Sequence, residues 1–148
     1  MILGNHDLRL FKRLTDAGIP SWFMRSVSEL LELPDTWQVA EEFECDGVLY
    51  VHGEGLNDDP RAAIKKIGQS VVYGHTHKAG IAHYASRLTR LFAMNVGCIV
   101  DLKALSFEYS KGMHQKALIG VGVVQDGDAP IFIPMPLESK LTRKGADE

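Results

Sequence analysis

Residues 58–77 read DDPRAAIKKIGQSVVYGHTH, and this run sets the fold class. Asp58 and Asp59 before Pro60 make a helix start. An acidic residue caps the first turn, and proline at or near the first helical position gives up a donor that would go unpaired anyway. The helix is predicted to run to about Ile67, where Gly68 stops it. Ser70-Val71-Val72-Tyr73 is then a short apolar strand that delivers Gly74-His75-Thr76-His77.

Upstream, Trp37–Glu44 and Gly47–His52 read as two strands. Cys45-Asp46-Gly47 between them carries the Asp-Gly pair that favours a hairpin. Ser26–Leu33 reads as a helix with Ser26 or Ser28 as its cap and Pro34 beyond its end. Leu8–Ala17 has apolar residues at Leu8, Phe11, Leu14 and Ala17, the spacing of a short helix closed by Gly18. Met1-Ile2-Leu3 reads as the end of a buried strand running into a Gly-Asn loop, a strand cut rather than begun. Downstream, strands are predicted near Gly80–Tyr84, Arg90–Asn95, Ala117–Gln125 and Pro130–Pro134, the last two joined by Asp126-Gly127-Asp128. Mixed strands and helices followed by a run of strands imply an α/β layered domain over residues 1–136, with residues 137–148 a polar, charged tail.

The chain has 148 residues, enough for one domain with a real core. A hydrophobic fraction of 45% and a charged fraction of 24% are ordinary for a globular protein. A net charge of −3 gives no reason to expect tight backbone-led nucleic-acid binding. Cys45 and Cys98 form no Cys-x-x-Cys pair, which argues against a thiolate zinc site and for two reduced thiols. No run approaches the roughly 18 apolar residues of a membrane span. The start is not a signal peptide. A cytoplasmic protein without a membrane partner is expected.

Three segments carry candidate chemistry: Gly4-Asn5-His6-Asp7, Val51-His52-Gly53-Glu54 and Gly74-His75-Thr76-His77. Each follows a predicted apolar strand, where sheet proteins assemble their sites. In an extended segment His75 and His77 would point to the same side and face one cavity. Alone, each signal is weak. A His-x-His pair is as readily a pair of surface histidines, His52 a hydrogen-bonded structural residue, and Asn5 a turn residue.

In this order the segments resemble the C-terminal motifs of the calcineurin-like metallophosphoesterase family. Met94-Asn95-Val96-Gly97 resembles the Asn-x-Gly strand end that follows the last histidine motif, and the wider pattern looks most like phage or prophage members. The resemblance implies part of a four-layer α/β/β/α sandwich with mixed β-sheets. It implies that Asn5, His52 and His75 bind one metal ion and His77 its neighbour. His6 would stand by the scissile phosphate, able to protonate the leaving oxygen, with Asp7 orienting it through a hydrogen bond. Two divalent ions roughly 3.5–4 Å apart would activate a bridging water and neutralise the phosphoryl oxygens. The imidazole, amide and carboxylate donors suit Mn, Fe, Zn or Ni.

The family pattern also has an Asp-x-His strand end and a Gly-Asp-x-x-Asp loop before Gly-Asn-His. Neither is in this sequence, where three residues precede Gly4. At most one ion is therefore expected in this chain alone, together with exposed apolar surface. The expectation is a truncated enzyme: a cropped chain, a gene model opening at an internal Met, or a natural fragment. An exposed sheet edge would invite a homodimer. The expected activity is hydrolysis of a phosphomonoester or phosphodiester. The rivals are a non-catalytic binding or assembly fragment and a nuclease of the same superfamily, with nucleic acid a partner only as substrate.

Other residues weigh less. Asp58 and Asp59 are better read as caps than as ligands, and Glu41, Glu42, Glu44 and Asp46 as a solvated edge. Glu54 could touch a metal-bound water. Lys78, Arg87 and Arg90 are better read as salt-bridging than as phosphate-binding, and His83 and His114 match no motif. No P-loop and no Gly-x-Ser-x-Gly elbow is present.

Overall fold

The computed structural model describes residues 1–100 and 117–136. His114 and the tail 137–148 lie outside the described residues. Three helices are described: α1 (Asn5–Asp16), α2 (Val27–Leu30) and α3 (Pro60–Ile67), with a 3-10 turn at Ser21–Phe23. Seven strands are described: β1 (Glu42–Cys45), β2 (Val48–Val51), β3 (Ser70–Tyr73), β4 (Ala79–Ala85), β5 (Arg90–Val96), β6 (Gly120–Gln125) and β7 (Ala129–Pro134). The first five form one mixed sheet in the order β1-β2-β3-β5-β4, and β6 and β7 form a second sheet of two strands.

β2, β3 and β5 run parallel in the centre, and β1 and β4 pair antiparallel at the edges. Strand alternation sorts the apolar side chains into two layers. Val71 and Tyr73 of β3 and Ala93 of β5 face α3, where they bury Ala63 and Ile64. Their neighbours Val72, Phe92 and Met94 face the other way with Val48 and pack against Val124 of β6. One helix, a five-stranded sheet and a two-stranded sheet are thus stacked through these contacts.

The turn residues explain the joints. Asp59 Oδ1 accepts the Arg61 N–H at the start of α3, and Gly68 closes it in the left-handed conformation. Asp46 and Gly47 both have positive φ, as a two-residue hairpin between right-twisting strands requires.

Several expectations need correction. The strand predicted over Trp37–Glu44 is confined to Glu42–Cys45, with Trp37 in a turn and exposed. The helix predicted over Ser26–Leu33 keeps its Ser26 cap but covers only Val27–Leu30, because Glu32 turns to positive φ. The strand predicted from Ala117 begins at Gly120, after a lone bridge between Cys98 and Ile119. Met1–Leu3 is joined to the rest by one parallel bridge, Ile2 to Ala40, rather than by a full strand.

Large apolar side chains lie exposed, among them Trp22, Phe23 and Trp37. An open apolar groove of about 650 Å³ is lined by Met1, Ile2, Trp37, Phe43 and Tyr50, away from the histidine loops. No described helix is long and apolar enough to cross a membrane. Cys45 and Cys98 are free thiols.

Candidate metal centre

The parallel strands β2 and β3 end side by side, and the histidine loops leave from those ends. This is the carboxyl edge of the sheet, the usual place for ligands in α/β proteins. The Gly74 N–H donates to the His52 carbonyl at 3.0 Å, so the β2–β3 pairing continues into the loops. Gly53, at positive φ, lies against the Tyr73 ring, where a Cβ would stand 2.9 Å from Cδ2. The buried Tyr73 hydroxyl donates to the Asn57 carbonyl, and burial pushes its pKa up to about 12.

Gly4-Asn5-His6-Asp7 is not a free loop. Gly4 is the N-cap of α1, and Asn5, His6 and Asp7 are its first turn. Asp7 Oδ2 accepts the Gly4 N–H at 2.8 Å, the half of a capping box that needs no side chain at the cap. The hydrogen bond described for Asp7 therefore goes to Gly4, whereas the resemblance had assigned it to His6. His6 is exposed on the same turn.

Asn5, His52 and His75 come together. His52 Nε2 lies 2.9 Å from Asn5 Oδ1 and 2.9 Å from His75 Nδ1. The two imidazoles meet edge to face with centroids 4.9 Å apart. With the Asn5 oxygen turned to His52, these three atoms share a single proton. One proton on His52 Nε2 must serve two acceptors at once. Placed on His75 Nδ1 instead, it leaves two lone pairs facing each other at 2.9 Å. A cation would take the place of that shared proton. Donors bound to one ion at about 2.1 Å and at right angles stand about 3.0 Å apart, close to the observed spacing.

The remaining electrostatics agree. Burial, then the neighbouring His75, lowers the His52 pKa against the opposing pull of Asp7 and Glu54. Burial, then His75 and His6, lowers that of His77. Both rings are thereby favoured as neutral imidazoles, the form that binds metal.

His75 and His77 are not extended, contrary to expectation. Both sit at positive φ, 66° and 58°. The Thr76 N–H donates to the Gly74 carbonyl at 2.8 Å across His75, a tight three-residue turn. Such conformations cost about 1–3 kcal/mol each for residues with a Cβ and persist where the surroundings impose them. Here the fully buried Asn95 does so: its Nδ2 donates to Thr76 Oγ1 at 2.7 Å. Asn95 stands out in the sequence only through its strand-end motif, and its partner follows from the turn. Gly4 is a second supporting residue that sequence reasoning passed over. A Cβ there would stand 2.8 Å from His52 Cε1 and Nδ1.

His77 feels the charges of His75 and His6. Among the described residues no three His, Cys, Asp or Glu side chains gather as a metal-holding group. The cluster owes its third donor to the Asn5 amide. Asp58 pairs with Lys78, and Arg90 with Asp128. Compared with protein-family models, curated proteins and solved structures, the chain matches none.

Proposed function

We propose that this chain is a metal-dependent phosphoesterase of the calcineurin-like kind, with one divalent ion held by Asn5, His52 and His75. The observation that carries the reading is the approach of His52 Nε2 to both Asn5 Oδ1 and His75 Nδ1 at 2.9 Å, which draws three potential ligand atoms together. The order of the three segments along the chain supports it. An ion there would polarise a phosphoryl oxygen and lower the pKa of a water, which suits hydrolysis of a phosphomonoester or phosphodiester.

The chain's own residues have separable tasks. Asn5 offers an amide oxygen from a helix start, and His52 and His75 offer ring nitrogens from neighbouring strand ends. His6, exposed beside Asn5, presents a ring N–H to a phosphoryl or leaving oxygen. Asp7 fixes the turn that carries both. His77 is the donor this chain would bring to a second ion. The parent fold under this reading is the four-layer sandwich, to which the α3 layer and both sheets would belong.

The test is calorimetric titration of Mn²⁺ into the chain, with an aryl phosphate turnover assay beside it. Saturable binding of one ion, lost in His75→Ala, is expected, and turnover that His6→Ala removes without changing Mn²⁺ affinity. Absence of ion binding by the folded chain sinks the reading. A second reading, a non-catalytic fragment that keeps one ion, is favoured by the amide-dependent donor set. Ion binding without turnover selects it.

A further inference from the structure

A polar groove of about 280 Å³ opens beside the cluster, lined by Asn5, Leu8, Arg9 and Lys12 of α1 and by Glu54 after β2. Asn5 belongs to both groove and cluster, so the two are continuous. Arg9 lies four residues beyond Asn5 and Lys12 seven, on the same face of the helix. At the α-helical rise they stand about 6 Å and about 10 Å along the axis from Asn5. Both are exposed, and neither is in an ion pair with another described residue, whereas Lys78 and Arg90 are. Glu54 also lines the groove, and its charge acts on the His52 ring. It repels an anion there and leaves the Arg9–Lys12 end as the favourable seat.

We propose that this groove binds a second phosphate of the substrate, beyond the reacting one, through Arg9 and Lys12. The inference rests on the phosphoesterase reading for the identity of the reacting group, but binding in the groove needs neither turnover nor an ion. A monophosphate occupies only one end, whereas a polyphosphate or a phosphodiester strand spans from the cluster to Lys12.

The test is calorimetry on the full chain in metal-free buffer with inorganic phosphate, inorganic tripolyphosphate and a 5′-phosphorylated pentathymidylate. Tripolyphosphate or the pentanucleotide is expected to bind at least about tenfold more tightly than phosphate. Arg9→Ala and Lys12→Ala should each erase several-fold of that advantage and leave phosphate within about twofold. Lys65→Ala, which removes an exposed cation from α3, should leave it intact. If the source is a strand, the pentanucleotide carries the advantage, and its log–log salt slope falls by about 1 for each cation removed. Equal affinity for all three anions, or equal losses in Lys65→Ala, overturns the proposal. Wild-type chain that discriminates the anions yet binds no Mn²⁺ would remove the phosphoesterase reading and leave the anion site standing.

Discussion

α1 and α3 are both amphipathic and capped, yet they serve different ends. α3 buries Ala63 and Ile64 against the sheet and holds the fold. α1 buries none of its residues fully. Its place is set at one end: Leu3 N–H donates to the Ala40 carbonyl, Asp7 caps Gly4, and Asn5 meets His52. A helix held by packing is stable without ligand. A helix held by its first turn is positioned by whatever that turn binds, so an ion at Asn5 should order α1 and leave α3 as it is.

The largest expected effect tests that contrast directly. Ile64→Ala should cost about 2–4 kcal/mol in denaturant unfolding, and Leu14→Ala less than about 1 kcal/mol. Equal costs would break the comparison, because α1 would then be anchored by packing too. Next comes Gly4→Ala. Its Cβ drives the His52 ring away from Asn5 and His75, so Mn²⁺ affinity should fall at least about tenfold while melting shifts by only a few degrees. Retained affinity would mean that the ring and its partners move together. Asp7→Ala should cost about 1 kcal/mol within α1 alone. Hydrogen exchange should show α1 amides opening about fivefold faster, with α3 unchanged and the difference reduced by Mn²⁺.

The smallest effect concerns Asp58, beside the N-cap of α3. The hydrogen bond and charge of Lys78 hold its carboxyl below the ordinary value. A lowered folded pKa gives a contribution that is present above the unfolded value and lost as pH falls through the folded one. The melting difference between wild type and Asp58→Asn should therefore shrink on acidification below about pH 4, and it should be slight because the pair is exposed. A difference that grows with acid would reverse the assignment.

Much of the scaffold could be read from residue types. Asp59-Pro60 and Gly68 bracket α3, Asp46-Gly47 marks the first hairpin, and Val71 and Val72 mark a strand buried on both faces. Their signals are local, so the sequence carries them. The candidate donors were also legible as residues, because strand ends and histidine spacing pick them out. Their geometry was not. A His-x-His pair in tight left-handed turns looks the same in sequence as an extended one. The difference is imposed by Asn95, nineteen residues away. Gly4 read as a loop residue because its cap is made by Asp7 and its contact by His52, 48 positions later. Trp37 read as part of a strand on β-propensity, and tertiary context overrode it.

Asn95 stands in β5 opposite Tyr73 of β3, three residues before the Thr76 it grips. The donor spacing is thus inherited from the register of two parallel strands. A slip of one residue would carry Asn95 to the opposite face and release Thr76. Ion uptake during refolding would then report the alignment of β3 with β5. A chain that captures Mn²⁺ has already aligned β3 with β5, and a rapid-mixing trace of ion capture should lag helix formation and coincide with β3–β5 pairing.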